Sequence, residues 1–199
     1  AGKAWRLSMH GGLAYVADQD GGLYCLDVSA APTIAPVSHR QTPGLLQPLV
    51  LRDGFAYLSD ESNGLWVVSC QSPLFPRTEG FCALPGSPYH LDVAGDHAYV
   101  ACYNGFLQIV DVSDPAAPTP VGEYVTPTYP QGTGVVSVVV QGDYAYVVDR
   151  YWGLYVLDVS DPTDPVRVGE VGFYCDPTDV DVAGDFVYLV DQDGGFRIV

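Results

Sequence analysis

Positive charge is scarce in this sequence. Lysine occurs once, at Lys3, and 8 Lys plus Arg stand against 24 Asp plus Glu, giving a formal net charge of −16. Nucleic acids are bound through clustered cationic side chains that neutralise phosphates, and anionic membrane surfaces attract basic segments in the same way. The composition therefore excludes a nucleic-acid-binding protein and disfavours binding to anionic membranes.

Long hydrophobic runs are also absent. The longest apolar stretch, Val135 to Val140, is interrupted by Ser137, whereas a membrane-spanning helix needs about 20 apolar residues. The sequence therefore predicts no membrane insertion. No signal peptide is visible, and the first residue is Ala1 rather than Met, so we expect a processed or partial chain from which a signal has been removed.

Familiar catalytic motifs are missing as well. The sequence has no Gly-x-Ser-x-Gly elbow, no His-Glu-x-x-His, no phosphate loop and no dinucleotide fingerprint. Its 5 cysteines show no Cys-x-x-Cys spacing, which weighs against zinc or thioredoxin-type chemistry. Windows with helical periodicity are interrupted by Gly or Pro throughout, so helices are expected to be nearly absent.

What the sequence does contain is an internal repeat. A Tyr flanked by small or aliphatic residues recurs at Tyr15, Tyr57, Tyr99, Tyr146 and Tyr188, at spacings of 42, 42, 47 and 42 residues. A second anchor, a Gly followed by an apolar residue, comes six or seven residues after each Tyr. Two anchors that keep the same register indicate a repeated structural unit of about 42 residues.

The residue pattern within each repeat is typical of four short β-strands. The first alternates in polarity, the second holds the Tyr, and the third, as in 154–159, is almost continuously apolar, which predicts burial on both faces. Four antiparallel strands per unit predict an all-β fold, a β-propeller of four-stranded antiparallel blades. A β-sandwich is the alternative, but it gives no reason for the fixed period. We treat 1–199 as a single propeller, or part of one, with repeats at approximately 5–44, 45–86, 87–133, 134–175 and 176–199, the last incomplete.

Both ends of the chain are short relative to the repeat. Val199 falls inside the third strand of the fifth repeat, and Ala1 to Ala4 are too few to supply the missing outer strand. An unpaired blade edge is a template for association. We therefore expect a fragment of a longer protein or a component of an assembly, with a protein partner or self-association through that edge.

The third strand and the turn after it resemble a known family. The segments 107–115 (LQIVDVSDP) and 154–162 (LYVLDVSDP), and more weakly 23–29 (LYCLDVS), are similar to the LVIVD repeat, while the second repeat departs from it at 65–70 (LWVVSC). The resemblance implies a propeller fold and, since members are mostly bacterial and archaeal secreted or surface proteins, an extracellular or cell-surface location. It implies no shared activity, so no catalytic residue is carried over.

By analogy with WD-type propellers, residues near the start of each first strand are expected to face a central funnel. His90 and Asp92 lie two apart on a strand, so both point to one side, where a His beside a carboxylate is suited to general-base chemistry. The funnel candidates for ligand binding are Trp5, Arg6, Gln47, Tyr89, His90, Asp92, Ser137, Asp179 and Asp181.

Carboxylates also recur in the turns between the second and third strands. Calcium takes six to eight oxygen ligands, so these turns are candidates for a Ca²⁺ site. The alternative is that Asp serves local backbone hydrogen bonds and solubility. The metal candidates are Asp18, Asp20, Asp191 and Asp193.

Two further features have both a structural and a functional interpretation. Cys70 and Cys82 bracket a predicted hairpin, so a cross-strand disulfide is a candidate if the protein is exported. Aromatic residues near the turns are candidates for stacking on sugar rings or anchoring a protein partner, with packing between blades as the alternative. These aromatics are Trp66, Tyr103, Tyr151, Trp152 and Tyr155.

Together these features favour a non-enzymatic extracellular or cell-surface module that binds a protein or ligand or takes part in an assembly, without a cofactor. The alternative is a propeller enzyme, a polysaccharide- or ester-directed hydrolase or lyase with calcium and carboxylates in the funnel. An enzyme is expected to hold strongly perturbed titrating groups in one concave pocket, whereas an interaction module is expected to present a broad aromatic or apolar patch.

Overall fold

A computed structural model describes residues 3–18, 22–42, 46–60, 64–127, 134–172, 176–192 and 194–199. Within these ranges the regular structure is antiparallel β-strand, and no helix is present. Accordingly, no described segment forms a helix of the length and hydrophobicity that crossing a membrane requires. The described strands form five sheets, four of four strands and one of three, and the chain divides into two compact units.

Unit 1 comprises Ala1–Ser87 and Asp114–Pro118 and holds two sheets. In each sheet every strand pairs with the next along the chain. Sheet 1 consists of β1 (Ala4–His10), β2 (Leu13–Asp18), β3 (Gly22–Asp27) and β4 (Ala35–Arg40), and sheet 2 of β5 (Leu46–Arg52), β6 (Phe55–Asp60), β7 (Gly64–Ser69) and β8 (Arg77–Ala83).

Unit 2 comprises Pro88–Ser113 and Thr119–Val199 and holds three sheets with the same order of pairing. Sheet 3 consists of β9 (Pro88–Ala94), β10 (His97–Cys102), β11 (Phe106–Asp111) and β12 (Thr119–Val125). Sheet 4 consists of β13 (Val135–Gln141), β14 (Tyr144–Asp149), β15 (Gly153–Asp158) and β16 (Val166–Gly172), and sheet 5 of β17 (Pro177–Ala183), β18 (Phe186–Asp191) and β19 (Gly195–Ile198).

Each predicted repeat thus corresponds to one sheet, and the predicted incomplete fifth repeat to a sheet of three strands. The buried third strand is confirmed in sheet 4, where Leu154 and Tyr155 are 1% and 0% exposed although adjacent strand residues point to opposite faces. The treatment of 1–199 as one domain stays a prediction.

Two structural requirements explain the glycine at the start of β7, the third strand of sheet 2. Gly64 has a φ of 137°, a conformation that side chains with a Cβ rarely adopt. A Cβ at this position would also overlap the Cys82 carbonyl oxygen of the neighbouring strand. At Gly64 the glycine anchor seen in the sequence therefore reflects both backbone conformation and the close approach of β8.

We call the first strand of each sheet its inner strand. Every inner strand has a shift of register near its start, opposite the end of the second strand. In sheet 3, for example, Ala101 pairs with His90 but Cys102 pairs with Pro88, so Tyr89 is an extra residue. Such bulges change the direction of the neighbouring side chains.

Aliphatic clusters join the sheets within each unit. In unit 1, Leu23 and Cys25 of sheet 1 belong to one cluster with Leu58 of sheet 2. In unit 2, Leu107 of sheet 3 belongs to one cluster with Val147 of sheet 4. The hydrophobic core of each unit therefore lies between the faces of neighbouring sheets.

The predicted Cys70–Cys82 disulfide is wrong for this structure, in which both cysteines are buried free thiols. Cys82 pairs with Leu65, at the opposite end of β7 from Cys70. Five residues of strand separate the two ends by about 16 Å, whereas a disulfide needs Cα atoms within about 7 Å. The connection between β7 and β8 is centred closer to Cys70 than to Cys82. The two cysteines therefore do not lie opposite each other across the hairpin, contrary to the prediction from the sequence.

Candidate functional site

Three inner strands of unit 2, β9, β13 and β17, lie side by side. From β9, the Asp92 Oδ2 atom accepts a hydrogen bond from the Val140 N–H of β13 at 2.8 Å. His90 Nδ1 lies 3.4 Å from the Val138 nitrogen of the same strand, which donates to it. These side chains satisfy backbone donors at the edge of β13 that sheet pairing does not use.

The same relationship continues between β13 and β17. The Ser137 hydroxyl donates to Asp179 Oδ1 at 2.7 Å, and that oxygen also accepts from the Val180 N–H at 3.0 Å. The structure therefore brings His90, Asp92, Ser137 and Asp179 together along neighbouring inner strands. Their observed hydrogen bonds hold one sheet to the next.

The other funnel candidates have different surroundings. Asp181 is exposed on β17 and accepts a bond from the Val182 N–H at 2.8 Å. Arg6 is exposed on β1 in unit 1. The side chains of Trp5 and Gln47 lie outside the described part of the chain.

The calcium candidates are described only in part, because Asp20 and Asp193 lie outside the described residues. Asp191 is 4% exposed, accepts from the Gly194 N–H at 2.8 Å and lies 3.8 Å from Arg197 Nε. Among the described residues, no group of three or more His, Cys, Asp or Glu side chains is arranged to hold a metal ion. The Ca²⁺ site stays a prediction.

A fully buried carboxylate organises the turn between β14 and β15. Asp149 Oδ2 accepts from the Thr126 hydroxyl at 3.2 Å and from the Gly134 N–H at 3.3 Å. Its Oδ1 accepts from the Tyr151 N–H at 2.9 Å. Asp149 therefore fixes the backbone on which Tyr151 is presented.

Beside this turn lies an aromatic cluster centred on Tyr103. The Tyr103 ring lies 5.9 Å from the Tyr89 ring, centroid to centroid. At Gly134, a Cβ would come within 3.3 Å of the Tyr151 ring and 3.5 Å of the Tyr103 ring, so the absence of a side chain there lets the two tyrosines approach. Among the predicted funnel residues whose side chains the structure describes, Tyr89 joins this group.

An ion pair completes the cluster. Arg150 Nη2 donates to Asp176 Oδ2 at 2.6 Å, and the pKa of Arg150 is raised by this hydrogen bond and, to a smaller extent, by one with Tyr103. The pKa of Tyr151 is raised chiefly by its hydrogen bond with Tyr103. We call Tyr89, Tyr103, Arg150, Tyr151 and Asp176 the Tyr103 cluster.

The remaining aromatic candidates serve packing. Trp66 lies against Phe81, with ring centroids 4.3 Å apart, and Trp152 lies against Gly172, where a Cβ would come within 3.3 Å of the indole. Tyr155 is fully buried. For these three residues the structure supports the packing interpretation.

The five repeats match the model of a known protein family. The model of the LVIVD repeat matches residues 1–35, 43–70, 85–126, 134–172 and 176–199, which together are most of the chain. The chain belongs to the LVIVD-repeat family. Its sequence matches no curated protein.

Solved structures establish the fold of this LVIVD-repeat chain. BamB from Moraxella catarrhalis is 16% identical over 96% of this chain and 55% of its own, with a TM-score of 0.73. The beta-propeller domain of Cps50 (Swd1) from Myceliophteria thermophila is 13% identical over 100% of this chain and 65% of its own, with a TM-score of 0.76. A functionally unknown protein from Desulfotomaculum acetoxidans DSM 771 is 12% identical over 98% and 68%, with a TM-score of 0.81.

The fold of the LVIVD-repeat chain is therefore a β-propeller fold, as the sequence predicted. At these identities the similarity concerns the fold alone. The chain spans just over half the length of the BamB chain.

Arg150 and Asp176 of the Tyr103 cluster were not predicted from the sequence. A signal was present for Arg150, because it follows the strand-ending Asp149 where the first and last repeats of this LVIVD-repeat chain have Gln19 and Gln192. Asp176 stands before β17, and nothing in the sequence links it to Arg150, 26 residues away.

Proposed function

We propose that this LVIVD-repeat chain is a non-enzymatic module that binds a protein partner outside the cell or at the cell surface, and that the Tyr103 cluster is its binding site. The observation that carries the proposal is the convergence of three tyrosines and an ion pair from three sheets of unit 2. Tyr151, at 37% exposed, is the most accessible aromatic residue of the cluster, since Tyr89 and Tyr103 are half-buried.

The chemistry of the cluster suits recognition. Tyr and Arg are the residue types most enriched at the energetic centres of protein interfaces, since a tyrosine offers a large contact area with few rotatable bonds. Arg150 is held by Asp176 and Tyr103, and Tyr151 by Tyr103 and the Asp149-bound turn. A site held in place in this way loses little conformational entropy when a partner binds.

The role of the inner-strand residues supports binding over catalysis. Asp92 and Asp179, two of the carboxylates that the enzymatic alternative would use, accept hydrogen bonds from a backbone N–H and from a hydroxyl of neighbouring strands. Protonation of Asp92 Oδ2 or Asp179 Oδ1 would disturb a hydrogen bond between neighbouring sheets. The family resemblance supports the extracellular setting, and the net charge of −16 favours solubility.

Site-specific photocross-linking tests the proposal. A photoreactive phenylalanine analogue at Tyr151 is expected to capture a discrete partner from the native secreted or surface fraction. The same analogue at Tyr144, which is 43% exposed on β14 but outside the cluster, is the matched control and is expected to capture none. A Tyr151→Ala variant of the purified chain is then expected to bind the captured partner about tenfold or more weakly.

Equal capture from both positions would contradict the assignment of the site. The enzymatic alternative makes a different prediction, namely turnover of glycoside or ester substrates in the presence of Ca²⁺ that is lost in Asp92→Asn. Such turnover would overturn the non-enzymatic proposal.

A further inference from the structure

The rings of Tyr103 and Tyr151 lie close together beside Gly134. A Cβ at Gly134 would lie 3.5 Å from Cε2 of Tyr103 and 3.3 Å from Cε2 of Tyr151. The two Cε2 carbons are therefore no further apart than the sum of these two distances. A Cε carbon of tyrosine is bonded directly to the ring carbon that carries the hydroxyl group. The ring edges next to the two hydroxyl groups thus approach each other.

The two hydroxyl groups are also joined. A hydrogen bond links the hydroxyl of Tyr151 to that of Tyr103, and Arg150 donates a hydrogen bond to Tyr103. Arg150 is in turn held by Asp176 at 2.6 Å. The two rings therefore meet at their hydroxyl ends, which is the arrangement that brings the carbons beside the hydroxyl groups nearest to each other.

The surrounding structure holds both rings in this arrangement. Asp149 accepts hydrogen bonds from the Gly134 N–H at 3.3 Å and from the Tyr151 N–H at 2.9 Å, so one carboxylate fixes two backbone segments. Tyr103 packs against an aliphatic cluster that includes Val136. Two groups that are held in contact react with each other far more readily than the same groups free in solution.

Exposure distinguishes this pair from another pair of tyrosines in unit 2. The rings of Tyr124 and Tyr155 are 6.3 Å apart, centroid to centroid. Tyr155, however, is 0% exposed, and Arg167 lies over its ring at 5.9 Å. Tyr151 is 37% exposed and Tyr103 is half-buried, so a reagent in solution reaches this pair more readily.

We propose that Tyr103 and Tyr151 are an oxidative modification site, at which a carbon–carbon bond between their Cε2 atoms joins the turn after β10 to the turn after β14. The oxidant is hydrogen peroxide acting through a haem peroxidase, which withdraws one electron at a time. This modification goes beyond the proposed function, because it requires no binding partner.

The reaction removes two hydrogen atoms from the pair. Each phenol loses one electron and its hydroxyl proton, which leaves two phenoxyl radicals. Their unpaired electrons form the bond between the Cε2 carbons, and each of these carbons then loses its proton while each oxygen regains one. One hydrogen peroxide accepts the two electrons and two protons and becomes two water molecules. Exposed side chains change rotamer within nanoseconds, so the Tyr151 ring closes the remaining distance before the radicals decay.

Oxidation of the purified full chain tests this proposal. The chain is treated with hydrogen peroxide and a haem peroxidase at low protein concentration, and is then reduced with a thiol so that any disulfide is reversed. The isolated monomer is expected to show the blue fluorescence of dityrosine and a mass loss of two hydrogen atoms. Proteolysis and mass spectrometry are expected to locate the bond between Tyr103 and Tyr151. Free tyrosine oxidised in parallel shows that the oxidant is active.

The cross-link is also expected to raise the midpoint of thermal unfolding. A covalent bond between the two turns closes a loop in the chain, and such a loop lowers the conformational entropy of the unfolded state. Oxidised and untreated monomers are therefore compared in the same unfolding experiment.

Variants separate the geometry from the mere presence of tyrosine. Tyr103→Phe and Tyr151→Phe are each expected to abolish the cross-link within the chain, since phenylalanine forms no phenoxyl radical. Tyr144→Phe, at a tyrosine 43% exposed outside the Tyr103 cluster, is the matched control and is expected to retain it. Gly134→Ala keeps both tyrosines but places a Cβ against both rings, so the yield is expected to fall several-fold. Unfolding curves establish that each variant is folded.

Three outcomes would overturn the proposal. The first is an oxidised monomer without dityrosine while free tyrosine reacts. The second is a bond that joins Tyr103 to Tyr89, whose ring is 5.9 Å away, instead of to Tyr151. The third is an unchanged yield in a folded Gly134→Ala variant. None of these results affects the capture of a partner at Tyr151, so the proposed function stands or falls separately.

Discussion

Asp92 Oδ2 accepts a hydrogen bond from the Val140 N–H at 2.8 Å and so links the inner strand of sheet 3 to that of sheet 4. The same carboxylate accepts from its own neighbour Val93 through Oδ1. One side chain thus satisfies two backbone donors, one of which lies at the edge of another sheet. The residue that resembled a catalytic carboxylate in the sequence has a structural role of its own.

Removing this link is expected to destabilise the protein. Asp92→Ala leaves the Val140 N–H without its acceptor, and the loss of a hydrogen bond to a charged group should lower the free energy of unfolding by about 1.5–3 kcal/mol. Urea denaturation followed by tryptophan fluorescence measures the change. Asp92→Asn keeps an acceptor oxygen and should cost less, so equal losses for the two variants would contradict this role.

Asp149 is expected to matter both for stability and for the Tyr103 cluster. Asp149→Ala removes the acceptor for Thr126, Gly134 and Tyr151, and the destabilisation should be about 3 kcal/mol because a donor left buried without a partner retains its desolvation penalty. Partner binding should weaken in parallel, since the Tyr151 backbone loses its anchor. A variant with unchanged stability would show that these bonds contribute little.

Glycine at the start of β7 is expected to be indispensable. Gly64→Ala should destabilise the protein by on the order of 3 kcal/mol or more, because it combines a φ of 137° with overlap of the Cys82 carbonyl. Gly142→Ala is the matched control, with a φ of 62° and nothing within 4 Å of the added Cβ. Thermal unfolding should show a much smaller loss for Gly142→Ala than for Gly64→Ala, and similar losses would contradict a special requirement for glycine at position 64.

The stability of the protein is expected to fall at alkaline pH through its buried thiols. Burial raises the pKa of Cys102 from 9.0 to about 12, so the folded state favours the neutral thiol. The resulting stabilisation is complete below the pKa of the unfolded chain and is lost as the pH rises from about 9 toward 12.

Replacing that thiol provides the measurement. Cys102→Ala should show a shallower decline in the free energy of unfolding over this pH range than the wild type, whatever its stability at neutral pH. Other groups titrate equally in both proteins, so the difference between the two curves isolates Cys102. Parallel curves would contradict the raised pKa.

The tyrosines of the candidate site could be predicted from the sequence, but their charged partners could not. Tyr103 and Tyr151 were identified because aromatic residues stand out in turns that the repeat had already located. Their partners Arg150 and Asp176 come from different sheets, and no local pattern reports a contact between turns 26 residues apart. Likewise, the disulfide prediction failed because the position of Cys82 opposite Leu65 depends on where the connection after β7 ends.

The repeat, the four-strand pattern and the turns could be predicted from the sequence because they depend on local properties. These are the alternation of apolar residues, glycine where the backbone requires positive φ, and a period that places each Tyr anchor in the second strand of its sheet. The roles of His90, Asp92 and Asp179, in contrast, depend on how the sheets pack. A carboxylate on an inner strand has the same local sequence whether it faces a ligand or a neighbouring backbone. The packing of β9, β13 and β17 side by side supplies the donors that fix its role.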